Sequence, residues 1–292
     1  MPGGSSRWGL AEPDGIGCYH PPVATDATMK GLVLAGGSGS RLFPLTLVTN
    51  KHLLPVYDRP MIFYPLDTLR EMGCREVMVV VGGRSVGDVL ELLHDGSDVG
   101  LELTYRYQRG ALGIAHALGL ARDFAGDGPL AVVLGDNILR GTLRPFADEF
   151  LASDAGAGAV LKAVPDPHRF GVAEFDPDGR VIGFEEKPAS PKSNRIPIGV
   201  YLFRPDVFDV LHELRPSARG EFEITDVLNH YVAARSLIAH DFEGEWMDAG
   251  TVESLLAAHR FAATFAGERP IDARGRLEEV DAETIDPATV HP

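Results

Sequence analysis

The first half of the chain alternates short apolar runs with longer segments in which apolar positions recur at helical spacing. The runs are rich in Val, Ile and Leu and end in turn residues, which is typical of strands buried on both faces of a parallel sheet. The predicted strands are residues 30–36, 76–82, 101–108 and 129–137, and the predicted helices lie within 60–73, 85–96 and 113–126. Strands that alternate with helices, without tight hairpins, predict right-handed crossovers and a doubly wound α/β sheet.

From about residue 155 the pattern becomes richer in strands and favours antiparallel pairing. The sequence DPDG at 176–179 is a strong turn signal, and the runs on either side of it predict a hairpin. Residues 220–236 and 250–266 are predicted helices, and 236–250 a strand that enters a loop. We therefore expect one α/β domain with a mixed, mostly parallel central sheet and a β-rich second half.

The two ends of the chain lack this periodicity. Residues 1–28 are rich in Gly, Pro and polar residues and have no apolar stretch like that of a signal peptide, so we predict a disordered leader. Residues 267–292 are charged and aperiodic, and we predict a loosely ordered tail. The periodic part of the chain, residues 29–266, is the predicted folded domain.

The composition restricts the class of partner. A net charge of −15 argues against binding to nucleic acid or to an anionic membrane surface. No apolar run approaches the roughly 20 residues that span a bilayer. Cys18 and Cys74 are too few for a disulfide framework, which favours a reducing compartment, and we expect a cytoplasmic protein.

The sequence LAGGSGSRL at 34–42 places a glycine-rich turn directly after the first strand. Small residues at the carboxyl end of a parallel strand allow backbone N–H groups to approach a phosphate, and we expect a helix N-terminus to follow them. A dinucleotide fingerprint fits Gly37 and Gly39 but fails at Leu42, where the third glycine is required. A Walker loop fails because no Gly-Lys-Ser/Thr follows. Taken alone, the motif leaves open a phosphate loop or a plain turn.

Several charged residues stand at comparable positions. Lys51 lies shortly after the glycine turn, and Asp136 follows a central strand, where a carboxylate is either a Mg²⁺ ligand or a turn cap. Lys187 ends a hairpin strand, and Asp248 precedes a turn in which Thr251 is a candidate helix cap. Each of these positions also has an ordinary structural explanation.

Eight motifs in this order decide between those explanations: LAGGSGSRLFPLT, NKHLLPV, RPMIFYPLDTL, VLGDN, FGVAEFD, EEKP, SARGEFEITDV and WMDAGT. Together they resemble the sugar-1-phosphate nucleotidylyltransferases, and within that family the glucose-1-phosphate thymidylyltransferases. The resemblance extends from about residue 29 to about residue 266. It implies a Rossmann-like nucleotidylyltransferase fold in which the β-rich half binds the sugar. It also implies transfer of a nucleotidyl group from a nucleoside triphosphate to a sugar 1-phosphate, with release of pyrophosphate.

The resemblance also implies roles for residues around the phosphates. The loop that cradles the triphosphate is matched by Gly36, Gly37, Ser38 and Gly39. The residue that holds the departing pyrophosphate is matched by Arg41.

The reacting phosphates and the metal have their own counterparts. Lys51 matches the lysine near the reacting phosphates, and Asp136 and Asp248 match the pair that holds Mg²⁺. Lys187 matches the lysine that binds the sugar phosphate, and Glu186 matches a contact to a sugar hydroxyl.

The remaining matches concern the sugar and the base. Gly171 and Gly199 match positions whose backbone lines the sugar pocket, and Gln108 and Gly113 match positions that read a pyrimidine. The segment 108–117 departs from the common pattern in two places: between Gln108 and Gly113, and at His116, where Gln is usual.

The resemblance leaves the substrates partly open. We expect dTTP and glucose 1-phosphate as substrates, Mg²⁺ as cofactor and a homo-oligomer. UTP or another sugar 1-phosphate is the alternative, because one methyl group separates thymine from uracil and a pocket rewards it by only about 1–3 kcal/mol. A catalytically silent sensor of nucleotide sugars is the alternative from another class.

Overall fold

The computed structural model describes residues 28–37, 39–83 and 85–266. The predicted tail, and the predicted leader up to residue 27, lie outside these residues. The strands are β1 (Lys30–Ala35), β2 (Pro55–Val56), β3 (Arg59–Pro60), β4 (Glu76–Gly82), β5 (Glu102–Gln108), β6 (Leu130–Leu134), β7 (Asn137–Arg140), β8 (Ala157–Ala163), β9 (Gly171–Phe175), β10 (Val181–Glu186), β11 (Arg195–Phe203), β12 (Leu237–Asp241) and β13 (Glu245–Asp248). The α-helices are α1 (Phe63–Glu71), α2 (Val86–Leu93), α3 (Ile114–Gly119), α4 (Arg122–Ala125), α5 (Arg144–Ala152), α6 (Val207–Glu213), α7 (Ile224–Ala233) and α8 (Val252–Ala263).

A seven-stranded sheet forms the centre, in the order β12-β8-β11-β6-β1-β4-β5. Its strands are parallel except β11, which runs antiparallel to both of its neighbours. The predicted mixed, mostly parallel sheet is confirmed, and β9 and β10 form the predicted hairpin. The second half is less antiparallel than its sequence suggests, because β8 and β12 continue the parallel part of the same sheet.

Side chains of the central strands alternate between two apolar layers. Val33, Val79 and Val133 pack into a core with α1 and α5. Leu32 and Val80, on the opposite face, pack into a second core with α3, α6 and α7. Both faces are covered, which explains why these strands are nearly continuous apolar runs in the sequence.

A third apolar cluster lies apart from the sheet and joins α8 to β2 and β7. There, β13 pairs antiparallel with β7, and Asp248 stands opposite Asn137. The sequence predicted only a loop for this part of 236–250, because EWMD has four residues and no clear alternation. Thr251 caps α8 as predicted, and it exchanges hydrogen bonds with Ser254 in a capping box.

Membrane-spanning helices are absent from the described residues, in which every helix is too short or too polar to cross a bilayer.

Candidate active site

The carboxyl ends of the parallel strands meet beside a cavity of about 310 Å³. Gly36 follows β1, Gln108 ends β5, and Asp136 lies just beyond β6. The predicted residues that line the cavity are Gly36, Gly37, Arg41, Lys51, Gln108, Gly113, Asp136, Glu186 and Lys187. Ser38 lies outside the described residues. Gly39, Gly171, Gly199 and Asp248 lie beside the cavity, as described below.

In the glycine turn, Gly36 has no space for a side chain, whereas Gly37 faces open space. A Cβ on Gly36 would lie 2.5 Å from Oε1 of Gln108, whereas one on Gly37 would meet no atom within 4 Å. Gly37 and Gly39 both have positive φ, at 99° and 62°. The turn therefore offers an open stretch of backbone towards the cavity.

The prediction of a helix directly after this turn is wrong. Residues Ser40–Leu42 form one 3-10 turn, which ends at Phe43 with φ −59° and ψ 137°. Pro44 favours this extended conformation of the residue before it. Positive charge at this end of the cavity comes from Arg41 and Lys51 rather than from a helix dipole.

Lys51 and Asp136 form an ion pair at the floor of the site. Nζ of Lys51 lies 2.6 Å from Oδ2 of Asp136, and the two side chains are only 15% and 14% exposed. Burial alone would raise the pKa of Asp136, but the charge of Lys51, its hydrogen bond and the charge of Arg41 lower that pKa to about 2. Asp136 is therefore ionised at neutral pH and available as a cation ligand.

Asn50 and His52, on either side of Lys51, fix its backbone. The side-chain amide of Asn50 donates to the carbonyls of Ala35 and Gly82, at the ends of two neighbouring strands. Its Oδ1 accepts from the backbone N–H of His52 and lies 2.7 Å from Nδ1 of that ring. Burial, with the nearby charge of Lys51, lowers the pKa of His52 to about 3 and keeps the ring neutral. The sequence did not predict that Asn50 and His52 hold Lys51 in place, because their hydrogen bonds depend on segments that are distant in the chain.

Asp248 approaches Asp136 across the β7–β13 pairing. A Cβ on Gly250 would lie 3.0 Å from Oδ2 of Asp248, 3.6 Å from Oδ2 of Asp136 and 3.3 Å from Nη2 of Arg41. The two carboxylates thus border one small space. Burial and the charge of Asp136 raise the pKa of Asp248. A close pair of carboxylates that repel each other, open to a phosphate-sized cavity, is a donor set that fits Mg²⁺.

Lys187 and Glu186 form a second charged group that lines the cavity. Nζ of Lys187 lies 3.3 Å from Glu186, which stands opposite Gly171 in the hairpin. The backbone of Lys187 has an unusual positive φ of 46°, and its N–H donates to the carbonyl of Phe170. A Cβ on Gly171 would lie 2.6 Å from Cγ2 of Thr225, so only glycine fits beneath Glu186.

Arg219 is a cavity residue that the sequence reasoning missed. Its guanidinium forms a bidentate pair with Glu223, from Nε to Oε1 at 3.2 Å and from Nη2 to Oε2 at 2.8 Å. Nη2 also lies 3.3 Å from Glu186 and 3.2 Å from Glu221. Burial would lower the pKa of Arg219, but the hydrogen bond to Glu223 and the three carboxylates raise it. Within the described part of the chain, Nη1 of Arg219 has no hydrogen-bond partner, so two N–H groups remain for a ligand. The motif SARGEFEITDV was the only signal for this residue.

Gly199 supports the site without lining it. It lies at a bulge in β11 with φ 76°, and a Cβ there would lie 2.8 Å from Nδ2 of Asn137. The amide of Asn137 donates to the carbonyl of Ile198 and accepts from Nε1 of Trp246. The residue after Asp136 is thereby fixed to both β11 and β13.

The loop before α3 closes the end of the cavity that holds Gln108. Its residue Leu112 accepts from the backbone N–H of Phe222, whose carbonyl accepts from Ala115. Gly113, between them, has φ 95°, and a Cβ there would lie 2.4 Å from the carbonyl oxygen of Phe222. The loop is therefore bonded directly to the segment that carries Arg219.

The resemblance predicts that Gly113 helps to bind a nucleotide. We therefore expect Gly113→Ala to raise the KM for the predicted nucleotide substrate about fivefold, because the backbone must shift to relieve both the contact and the positive φ. Gly110→Ala is the matched control, since Gly110 has φ 78° but open space at its Cβ position. Steady-state kinetics of the two variants would measure the difference. Equal KM values would show that the contact with Phe222 does not shape the nucleotide site.

An α/β sheet whose carboxyl edge joins an open glycine turn to an acidic pair and separate basic groups is suited to transfer between phosphates. The model of the nucleotidyl transferase family matches residues 30–264, so the chain belongs to that family.

The relatives of this chain are named as nucleotidyltransferases, and two of the three below are named as thymidylyltransferases. The chain is 40% identical over 261 residues to the low-salt glycan biosynthesis nucleotidyltransferase Agl11 of Haloferax volcanii, with 86% of this chain and 73% of that protein covered. It is 43% identical over 234 residues to a glucose-1-phosphate thymidylyltransferase of an Actinoplanes species, with coverages of 79% and 77%. A crystal structure of a Bacillus anthracis protein, assigned as a glucose-1-phosphate thymidylyltransferase and solved with sucrose, superposes with a TM-score of 0.77 at 46% identity. The match covers 80% of this chain and 95% of that one.

Proposed function

We propose that the enzyme transfers a thymidylyl group from dTTP to glucose 1-phosphate, giving dTDP-glucose and pyrophosphate. The observation that carries the proposal is that two separate charged groups line one cavity: the Lys51–Asp136 pair with Arg41, and Lys187 with Glu186 and Arg219. Two phosphate groups that must meet need two such binding regions. The names of the Actinoplanes and Bacillus anthracis relatives support the choice of thymidylyl and glucose.

The reaction needs position and charge rather than a base. An ionised oxygen of the sugar phosphate attacks the α-phosphorus of dTTP, the new O–P bond forms, and the bond to the bridging oxygen of the β-phosphate breaks. The nucleophile already carries negative charge at pH 7, so no side chain has to remove a proton. The barrier arises mainly from bringing anions together, which basic side chains lower.

Each basic group has a place in this scheme. Lys187 and the free N–H groups of Arg219 hold the sugar phosphate, and Glu186 accepts from a sugar hydroxyl. Lys51 neutralises charge at the reacting phosphates, and Arg41 neutralises the departing pyrophosphate. The open backbone at Gly37 contacts the triphosphate.

Asp136 and Asp248 would hold Mg²⁺, which supplies charge neutralisation at phosphate oxygens when bound. Without an ion, Lys51 and Arg41 partly balance the two carboxylates.

A specific feature disfavours the sensor alternative. Binding alone gains little from a close pair of carboxylates, one of which has a pKa raised by burial and by the charge of the other. A UTP-dependent reaction remains the alternative within the same chemistry.

The deciding experiment measures pyrophosphate release with dTTP, UTP, CTP, GTP and ATP against the 1-phosphates of glucose, galactose, mannose and glucosamine. We expect release only when nucleotide, sugar phosphate and Mg²⁺ are all present, with the highest kcat/KM for dTTP and glucose 1-phosphate. Omission of each component in turn is the control. Failure of every pair to react would refute the enzyme, and preference for UTP would move the proposal to the alternative.

A further inference from the structure

Gln108 has a defined amide orientation in the cavity. It ends β5, is only 5% exposed and lines the cavity beside Gly36 and Gly113. Its Nε2 lies 3.3 Å from the carbonyl oxygen of Gly113 and 3.2 Å from Nδ1 of His116. These two acceptors account for both hydrogens of the amide nitrogen. The amide oxygen therefore lies on the opposite side, towards Gly36.

The oxygen of this amide is available to a ligand. Among the residues that the structure describes, no N–H or O–H group donates a hydrogen bond to Oε1 of Gln108. Because Gln108 lines the cavity, its amide oxygen is free to accept a hydrogen bond from a ligand that carries a donor at this position.

His116 completes the arrangement from the first turn of α3. With its proton on Nε2, the imidazole accepts at Nδ1, so it binds the amide nitrogen and repels the amide oxygen. The ring centroid lies 6.3 Å from that of Phe222, whose backbone bonds to Leu112 and Ala115. The imidazole is thus held by the same segment that closes the cavity.

We propose that His116 is a positioning residue that fixes the amide of Gln108 with its oxygen towards the nucleotide, and so selects pyrimidines with an imide N–H. This inference rests on the proposed function for the identity of the ligand. Thymine and uracil carry a proton on N3, which the amide oxygen accepts. Cytosine carries a lone pair on N3, which the same oxygen repels.

Exclusion of cytosine and discrimination between thymine and uracil would depend on different contacts. His116 and Gln108 exclude cytosine but do not distinguish thymine from uracil, since both bases present the same N3–H. The position at which this chain carries His instead of Gln therefore keeps an acceptor, because the side-chain oxygen of Gln can also bind the amide nitrogen of Gln108.

The test compares dTTP with dCTP in His116→Leu and His116→Gln. We expect His116→Leu to lower the ratio of their kcat/KM values at least fivefold, because Gly113 alone then restrains the amide. We expect His116→Gln to keep the ratio within about twofold of the parent protein, since one good hydrogen bond is retained. His94→Leu, at an exposed histidine on the surface, is the control.

A double-mutant cycle separates positioning from mere support. In Gln108→Leu, a further His116→Leu change should leave the ratio unaltered, since no amide remains to be oriented. A general loss of packing would lower both kcat/KM values and leave the ratio unchanged in His116→Leu, and that result would overturn the proposal. An equal loss of selectivity in His116→Gln would also overturn it.

Calorimetric binding of dTTP and dCTP without sugar phosphate distinguishes this inference from the proposed function. If no sugar phosphate reacts but dTTP still binds at least fivefold better than dCTP, and His116→Leu removes that preference, the inference stands while the proposed reaction fails. If turnover is normal and the binding preference is the same in His116→Leu, the inference fails while the proposed reaction stands.

Discussion

Asp136→Asn is expected to lower kcat by on the order of a hundredfold while the protein remains folded. The change keeps the shape of the side chain but removes a charge that balances Lys51 at 2.6 Å and that faces Asp248 across the site. An uncharged amide is a weak ligand for Mg²⁺ and leaves the ammonium of Lys51 without its counter-ion. Steady-state kinetics at saturating substrates would measure the loss, and circular dichroism would verify the fold.

Asp148→Asn is the matched control for this change. Its carboxylate also forms an ion pair, with Arg144 at 2.8 Å, but on the exposed surface of α5. We expect turnover of this variant within twofold of the parent protein, because exposed pairs contribute about 0–1 kcal/mol to stability. Similar turnover in both variants would remove Asp136 from the reaction.

Arg219→Ala is expected to raise the KM for glucose 1-phosphate at least tenfold. Two effects act in the same direction: the free N–H groups at Nη1 are lost, and Glu186, Glu221 and Glu223 lose the cation that balances them. Charge-assisted hydrogen bonds to phosphate contribute about 1.5–3 kcal/mol each, which supports a change of this size. Initial rates against sugar phosphate at saturating dTTP would measure it.

Two further variants show whether the effect is local. Arg219→Lys should recover part of the affinity, since it restores the charge but not the bidentate geometry. Arg144→Ala removes the same charge from a surface ion pair and should leave the KM unchanged. If Arg219→Ala lowers only the melting temperature, the residue supports the loop and does not bind the sugar phosphate.

The parts of the site that the sequence predicts are those attached to strand ends. Gly36, Gln108 and Asp136 each stand at the carboxyl end of a strand whose apolar pattern is clear, and parallel strands bring such ends to one edge. The central strands β1, β4 and β6 were predictable for the same reason, since both faces of the sheet are covered there and these strands are nearly continuous apolar runs.

The parts that the sequence does not reveal depend on contacts between distant segments. Arg219 lies outside any helix or strand, and it reaches the cavity because Phe222 bonds to the backbone of Leu112. The strand β13 has four residues, and it pairs with β7 beside the apolar cluster that α8 forms with β2 and β7. The helix expected after the glycine turn does not form, since Pro44 favours an extended Phe43.

The register of β13 against β7 has a consequence for assembly. Asp136 and Asp248 are 112 positions apart in the chain, yet the N–H of Ala249 donates to the carbonyl of Asp136 at 3.0 Å. The first carboxylate belongs to the central sheet and the second to the layer formed with α8. If both carboxylates hold a divalent ion, that ion would bind only when this layer is docked, and by mass action it would stabilise the docked state. The affinity for a divalent ion would then report whether the layer formed with α8 is docked on the central sheet.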